Sequence, residues 1–141
     1  MKQHPASSHR RSERGQSLVE FAITFLVLVL ILSVVVDVGR LYFASVAVRE
    51  AAEEGALYGS TGAFSGIETR VRQSSTSPID MMDVSRIQVS HSPTTPCVGQ
   101  SLTVTVTYQF EFVMPLIAPI IGSTILPLSH SAVTTVLQSS C

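Results

Sequence analysis

Asparagine is absent from the 141-residue chain, which excludes N-glycosylation. Charge is sparse, at 13% Asp, Glu, Lys and Arg, and beyond residue 15 acids outnumber bases. No basic patch therefore remains there to serve as a nucleic-acid footprint. The two cysteines, Cys97 and Cys141, and the histidines His4, His9, His91 and His130 show no ligand spacing, so no metal site is expected. A serine elbow, a phosphate-binding glycine loop and a His-centred dyad are also missing. The chain reads as no enzyme, with no cofactor and no small-molecule substrate.

What the sequence has in excess is apolar residues, at 45%, and they concentrate in one run. Residues 21–36 carry no charge, and only Thr24 and Ser33 interrupt them; Leu18 and Val19 extend the run back across Glu20. Residues 18–36 make roughly 28 Å of helix at about 1.5 Å per residue. That matches a hydrocarbon core of about 30 Å. The alternatives are a buried core helix and the apolar region of a cleaved secretory signal. Neither fits, because the helical pattern continues through Asp37, Gly39 and Arg40 instead of stopping at a small-residue cleavage site. A single membrane-spanning helix is expected.

Orientation follows from charge. Lys2, Arg10, Arg11 and Arg14 against Glu13 make residues 1–15 basic, whereas the remainder is net acidic. The basic end is expected to stay in the cytoplasm. Both cysteines then fall on the outer side, where oxidation is permitted. A Cys97 to Cys141 disulfide would stabilise the fold by roughly 4 kcal/mol on the chain-entropy account. Two free thiols, or an intermolecular bond through Cys141, are the alternatives.

The leader, residues 1–14, is polar and without periodicity, and it reads as disordered. Beyond the apolar run, Leu41, Ala44, Val48, Ala51 or Ala52, Gly55 and Tyr58 recur at three- and four-residue steps, with Arg49, Glu50, Glu53 and Glu54 on other faces. The pattern predicts one long helix over residues 17–58, ending in the run Gly59, Gly62 and Gly66. Residues 67–74 suggest a short helix with Ile67 and Val71 inward. Strands are expected at 84–90, at 102–112, where Leu102, Val104, Val106, Tyr108, Phe110 and Phe112 alternate with polar residues, and at about 128–137. The apolar stretch 114–126 contains Pro115, Pro119 and Gly122, which argue for a packed loop or partner contact over a second span. The expected fold is α+β: a long N-terminal helix packed on a small antiparallel sheet. Its parts are a leader at 1–15, the helix at 16–59 and an extracytoplasmic β-rich domain at 60–141.

The most informative constellation is Arg14-Gly15-Gln16-Ser17-Leu18-Val19-Glu20-Phe21, followed by Asp37-Val38-Gly39-Arg40-Leu41 and by Arg49-Glu50-Ala51-Ala52. It resembles type IV pilin precursors, and more narrowly the TadE-like family of pilus assembly proteins, closely over residues 14–59. The resemblance implies a pilin-like fold and cleavage by a prepilin peptidase between Gly15 and Gln16, which makes Glu20 the fifth mature residue. Gln16 departs from the Phe or Met usual at a methylated pilin N-terminus. The resemblance also implies a minor pilin or pseudopilin of a bacterial tight-adherence pilus. Its partners would be the prepilin peptidase, the inner-membrane platform and assembly ATPase, the major pilin and other minor pilins. The location implied is the bacterial plasma membrane, with the N-terminus cytoplasmic, and, on assembly, an extracellular pilus.

Independently of family, Glu20 in a first helical turn favours the helix dipole by about 0.3 to 1 kcal/mol. Drawn into lipid, a carboxylate costs about 2.5 to 3.5 kcal/mol and wants a cationic partner. The amino group that cleavage would expose on Gln16 lies one turn away. Asp37 and Arg40, three residues apart, are expected to form an ion pair at the membrane interface, with Arg40 reaching outward. Two rival classes stand beside the pilin reading: an unprocessed single-pass adaptor of an envelope complex, and a membrane-anchored enzyme.

Overall fold

The computed structural model describes residues 10–114, 119 and 122–138, with side chains from residue 15 onward. Leader residues 1–9, residues 115–118, 120 and 121 of the apolar connection, and Cys141 lie outside the described residues. In chain order the elements are helix α1 (Arg10–Ser60), a single 3-10 turn (Phe64–Gly66), helix α2 (Ile67–Gln73) and strands β1 (Ile87–Ser92), β2 (Ser101–Glu111) and β3 (Ile125–Thr135). The fold is α+β, as the sequence pattern implies.

No proline occurs between Pro5 and Pro78, so nothing in that interval removes a helical hydrogen bond. Helix α1 starts at Arg10, ahead of the start expected beyond Gly15. Arg10, Arg11, Glu13 and Arg14 are good helix formers, and one glycine does not stop propagation through them. At the other end, Gly62 adopts a φ of +86°, a left-handed conformation that closes a helix at little cost. The Thr61 and Gly62 N–H groups donate back to the carbonyls of Tyr58 and Gly59 at 3.2 and 3.0 Å.

The chain divides into two compact units between Val36 and Asp37. In the first, every described side chain from residue 15 to 36 is exposed except half-buried Ser33. The hydroxyls in this apolar stretch are satisfied within the helix: Thr24 Oγ1 donates to the Glu20 carbonyl and Ser33 Oγ to the Val29 carbonyl, each at 2.9 Å. That arrangement suits a medium that offers no hydrogen bonds of its own.

In the second unit the continuing helix buries a stripe of small residues. Ala44, Ala47, Val48, Ala51, Ala52 and Ala56 are in the core, and Gly55 and Gly59 share the buried face. The expected Tyr58 is exposed instead, because the four-residue step from Gly55 lands on Gly59. Small side chains let neighbours approach the helix backbone closely. A Cβ on Gly55 would stand 2.5 Å from Val71 Cγ2 and 3.2 Å from Val104 Cγ1. One on Gly59 would collide with Leu102 Cδ2 and lie 2.9 Å from Ile67 Cδ1. Helix α2 contributes buried Ile67 and Val71 to this contact, and Arg70 pairs with Glu54 at 2.6 Å.

The three strands form one antiparallel sheet in the order β1-β2-β3. In β2, Leu102, Val104, Val106 and Phe110 are buried, with Tyr108 and Phe112 packed at the margin of the core. The register sets Val106 between Val89 and His130, so one face is continuous across all three strands. The opposite face is hydroxylic: Thr105 and Ser131 share a hydrogen bond of 2.7 Å, and Thr107 and Ser129 one of 3.0 Å. Strand β1 begins later than residue 84 because Asp83 closes a turn. Its carboxylate accepts from the Ser85 N–H at 2.9 Å, and its carbonyl from those of Arg86 and Ile87 at 3.2 and 2.9 Å. Strand β3 is displaced toward the N-terminus of the expected 128–137. It pairs with the whole of β2, from Ile125 opposite Glu111 to Thr135 opposite Ser101.

Gly55→Val is expected to destabilise the folded unit by about 1 to 3 kcal/mol, since buried Val71 and Val104 are stiff neighbours. Nothing lies within 4 Å of a Cβ on Gly39. Gly39→Ala should therefore gain up to about 1 kcal/mol of helix propensity. Denaturant titration of the detergent-solubilised chain followed by circular dichroism separates the two outcomes.

Candidate functional site

Six positions singled out by the sequence are described, and they fall into three separate places. Gly15, Gln16 and Glu20 lie on the exposed N-terminal part of α1, Asp37 and Arg40 further along the same helix, and Cys97 in the β1–β2 connection.

Gly15 and Gln16 are both helical and exposed, and a Cβ on Gly15 would meet nothing within 4 Å. The glycine is thus not required by packing against the described residues. Glu20 is exposed on the apolar stretch, and its carboxylate has no ion-pair partner among the described residues. Cys97 is half-buried and disulfide-bonded. Cys141, the expected other half of that bond, lies outside the described residues.

Asp37 stands out physically. It is 2% exposed and is the one buried acidic or basic residue among those described. Its Oδ2 accepts from the Met114 N–H at 2.9 Å, while Oδ1 accepts from the Val113 N–H at 3.3 Å and from Arg40 Nη1 at 3.0 Å. Burial penalises the charged carboxylate. The Met114 and Val113 amides, followed by the Arg40 hydrogen bond and charge, together outweigh it and hold the pKa below its ordinary 3.8. Arg40 does not simply reach outward: its guanidinium also lies over the Phe110 ring, 5.4 Å from the centroid. The ion pair anticipated from the i,i+3 spacing is present at 3.0 Å. What the sequence could not give are the two backbone donors, 76 and 77 residues away, that make Asp37 a clasp between α1 and the end of β2. The only sequence signal pointing there was the lone acid ending an apolar run.

A second clasp holds the far end of the helix. The Ser60 carbonyl accepts from the Leu137 N–H at 2.8 Å and from that of Gln138 at 3.3 Å. Helix α1 is therefore tied to the sheet's β2–β3 side at Asp37 and to the exit of β3 at Ser60. Between these ties runs the small-residue stripe.

The geometry contains anchoring and packing devices, with no described cluster in which a nucleophile, base and oxyanion donors converge. Among known proteins, residues 15–57 match the model of the TadE-like protein family, a stretch that takes in Gly15, Glu20, Asp37 and Arg40. No curated protein and no solved structure matches the chain.

Asp37→Ala would strand two amides and Arg40, and is expected to cost about 1 to 3 kcal/mol of stability. The pH dependence has a definite sign. With its folded pKa below 3.8, Asp37 adds stability that is fully present above that value and lost as pH falls through the lower folded value. Asp37→Asn should remove this part of the acid-induced loss, leaving a flatter acid limb in unfolding curves.

Proposed function

From the match of residues 15–57 of its long helix to the TadE-like family, we propose that the chain is a pilin-like subunit, a minor pilin or pseudopilin, of a bacterial tight-adherence pilus. It acts by assembly and not by turnover. On this reading the precursor inserts through residues 18–36 with its basic leader in the cytoplasm. A prepilin peptidase cuts after Gly15, and the sheet-bearing unit stands on the outer side. The implied partners are the peptidase, the inner-membrane platform and assembly ATPase, the major pilin and other minor pilins.

The observation that carries the proposal is the contrast along one family-matched helix. From residue 15 to 36 its apolar side chains are exposed in their own unit, whereas from Asp37 to Ser60 one face of the helix is packed. Fully exposed to water, each large apolar side chain would forgo about 1.5 to 3 kcal/mol of burial. Lipid before assembly and neighbouring helices after it are the two media that resolve this. Glu20 fits the same scheme. An intramembrane carboxylate without a partner invites pairing with the amino group that cleavage would free on Gln16 of the same or a neighbouring chain.

A second reading has one observation in its favour. The Gly15–Gln16 bond lies inside α1, and a helical bond must unwind before a peptidase can cut it. An unprocessed single-pass adaptor would keep that bond intact. The two readings separate by intact-mass measurement on membrane and sheared fractions of the same cells. Loss of residues 1–15 is expected, and a wholly unprocessed population overturns the pilin reading. Glu20→Ala should leave membrane insertion unchanged while reducing recovery in sheared filaments; undiminished recovery would remove the pairing role.

A further inference from the structure

The first residue of the folded unit holds a distant part of the chain. Asp37 follows the last residue of the apolar run directly, and its carboxylate holds the backbone of Val113 and Met114. The start of the β2–β3 connection is thus within hydrogen-bond reach of Asp37, the first residue of the folded unit. Val113 there is 73% exposed, and Ile125, at the return of the connection, is 48% exposed. The sequence is equally one-sided: Glu111 is the last Asp, Glu, Lys or Arg in the chain.

Four backbone N–H groups at the two ends of this connection have acceptors within the folded unit. Val113 and Met114 donate to Asp37, the Phe112 N–H donates to the Thr124 carbonyl at 3.1 Å, and the Ile125 N–H donates to Ser123 Oγ at 3.0 Å. Exposed apolar side chains beside amides that already have acceptors can enter a lipid interface without stranding those donors, and its hydrated headgroup layer still supplies hydrogen bonds to carbonyls. The carboxylate that organises them is neutralised by Arg40. On the helix, immediately past Arg40, Tyr42 and Phe43 are 65% and 61% exposed, the aromatic signature of a membrane–water boundary.

We propose that the two ends of the β2–β3 connection, through Val113 and Ile125, rest in the outer-leaflet interface of the membrane that α1 crosses, giving the folded unit a second lipid contact. The occupant is phospholipid, because the patch is continuous with the point where the spanning segment ends. This inference rests on the membrane-spanning reading of residues 18–36. It supplies what a lone helix lacks: a contact that fixes the height and tilt of the folded unit on the bilayer before any partner is engaged.

The chain has no tryptophan, so a single introduced indole reports without background. Val113→Trp, Ile125→Trp, Val29→Trp and Val133→Trp versions of the whole chain would be reconstituted in phosphatidylcholine–phosphatidylglycerol vesicles carrying doxyl-labelled lipid. Val29 marks the span. Val133, on β3 near its pairing with Thr103, marks the opposite end of the sheet. Tryptophan at 113 and at 125 is expected to emit at shorter wavelength than at 133 and to lose intensity to shallow doxyl labels. At 29 it should be quenched by deep labels, and at 133 by neither. If 29 is quenched while 113 and 125 are not, the lipid contact is overturned and the span stands. Blue-shifted but unquenched emission at 113 and 125 would mean coverage by a second copy or another protein, and also overturns it. Failure of quenching at 29 removes the spanning reading and this inference together. Agreement between 113 and 125 guards against a single substitution that distorts the Asp37 clasp.

Discussion

The folded unit depends on a buried carboxylate being better solvated by protein than by water. Asp37 sits where the apolar run stops, and burial by itself would push it toward the neutral form. Two amides and one guanidinium reverse that preference. Those donors come from the end of β2 and from one helical turn away, so the charge survives only if helix and strand meet correctly. Such a group specifies geometry more than it adds net stability, since a well-packed apolar residue would avoid the desolvation cost altogether. In this fold it fixes the axial position of the helix against the sheet, which an all-alanine stripe would leave free to slide by a turn.

The stripe and the clasps solve different parts of one packing problem. Gly55 and Gly59 bring the helix backbone close to Leu102, Val104, Ile67 and Val71, and Ala47 and Ala51 continue the same buried face, so the helix side contributes little volume. Bulk is supplied from the sheet side instead, by β2 and by Met81 and Ile79 from the connection before β1. A narrow interface of this kind resists compression but offers little resistance to sliding. The hydrogen bonds at Asp37 and Ser60 provide that resistance at its two ends.

How far the sequence foretold this structure depended on the range of the forces involved. Strict alternation from Leu102 to Phe112 located β2 to within a residue, because a half-buried central strand must alternate. The inward pair Ile67 and Val71 located α2 for the analogous helical reason. The start of β1 was misjudged because the Asp83 turn competes locally with strand pairing, and the span of β3 because an edge strand takes its limits from its neighbour's register. The start of α1 was misjudged because propensity, not hydrophobic pattern, governs Arg10 to Arg14. At the candidate site the Asp37–Arg40 pair was legible from spacing. Its role as a clasp was not, because Val113 and Met114 contribute main-chain amides that every residue has and no side-chain pattern reveals.

The two halves of α1 therefore obey opposite rules. From Asp37 onward, burial against the sheet supplies the driving force, and the sequence can afford alanine and glycine because β2 brings the volume. Before Asp37, large aliphatic side chains point outward on every face, and their removal from water is accomplished equally well by lipid or by other helices. In a bilayer that equivalence leaves no hydrophobic force for helix association, so van der Waals fit and polar pairing must decide it. The stretch from residue 18 to 36 is rich in bulky Leu, Val and Ile and poor in small residues, which limits close backbone approach. With fit so limited, the proposed polar contact at Glu20 is what would discriminate between remaining in lipid and joining neighbouring helices. On the proposed pilin reading, the assembly decision would fall to one acidic residue near the start of a helix whose far half is already committed to its own sheet.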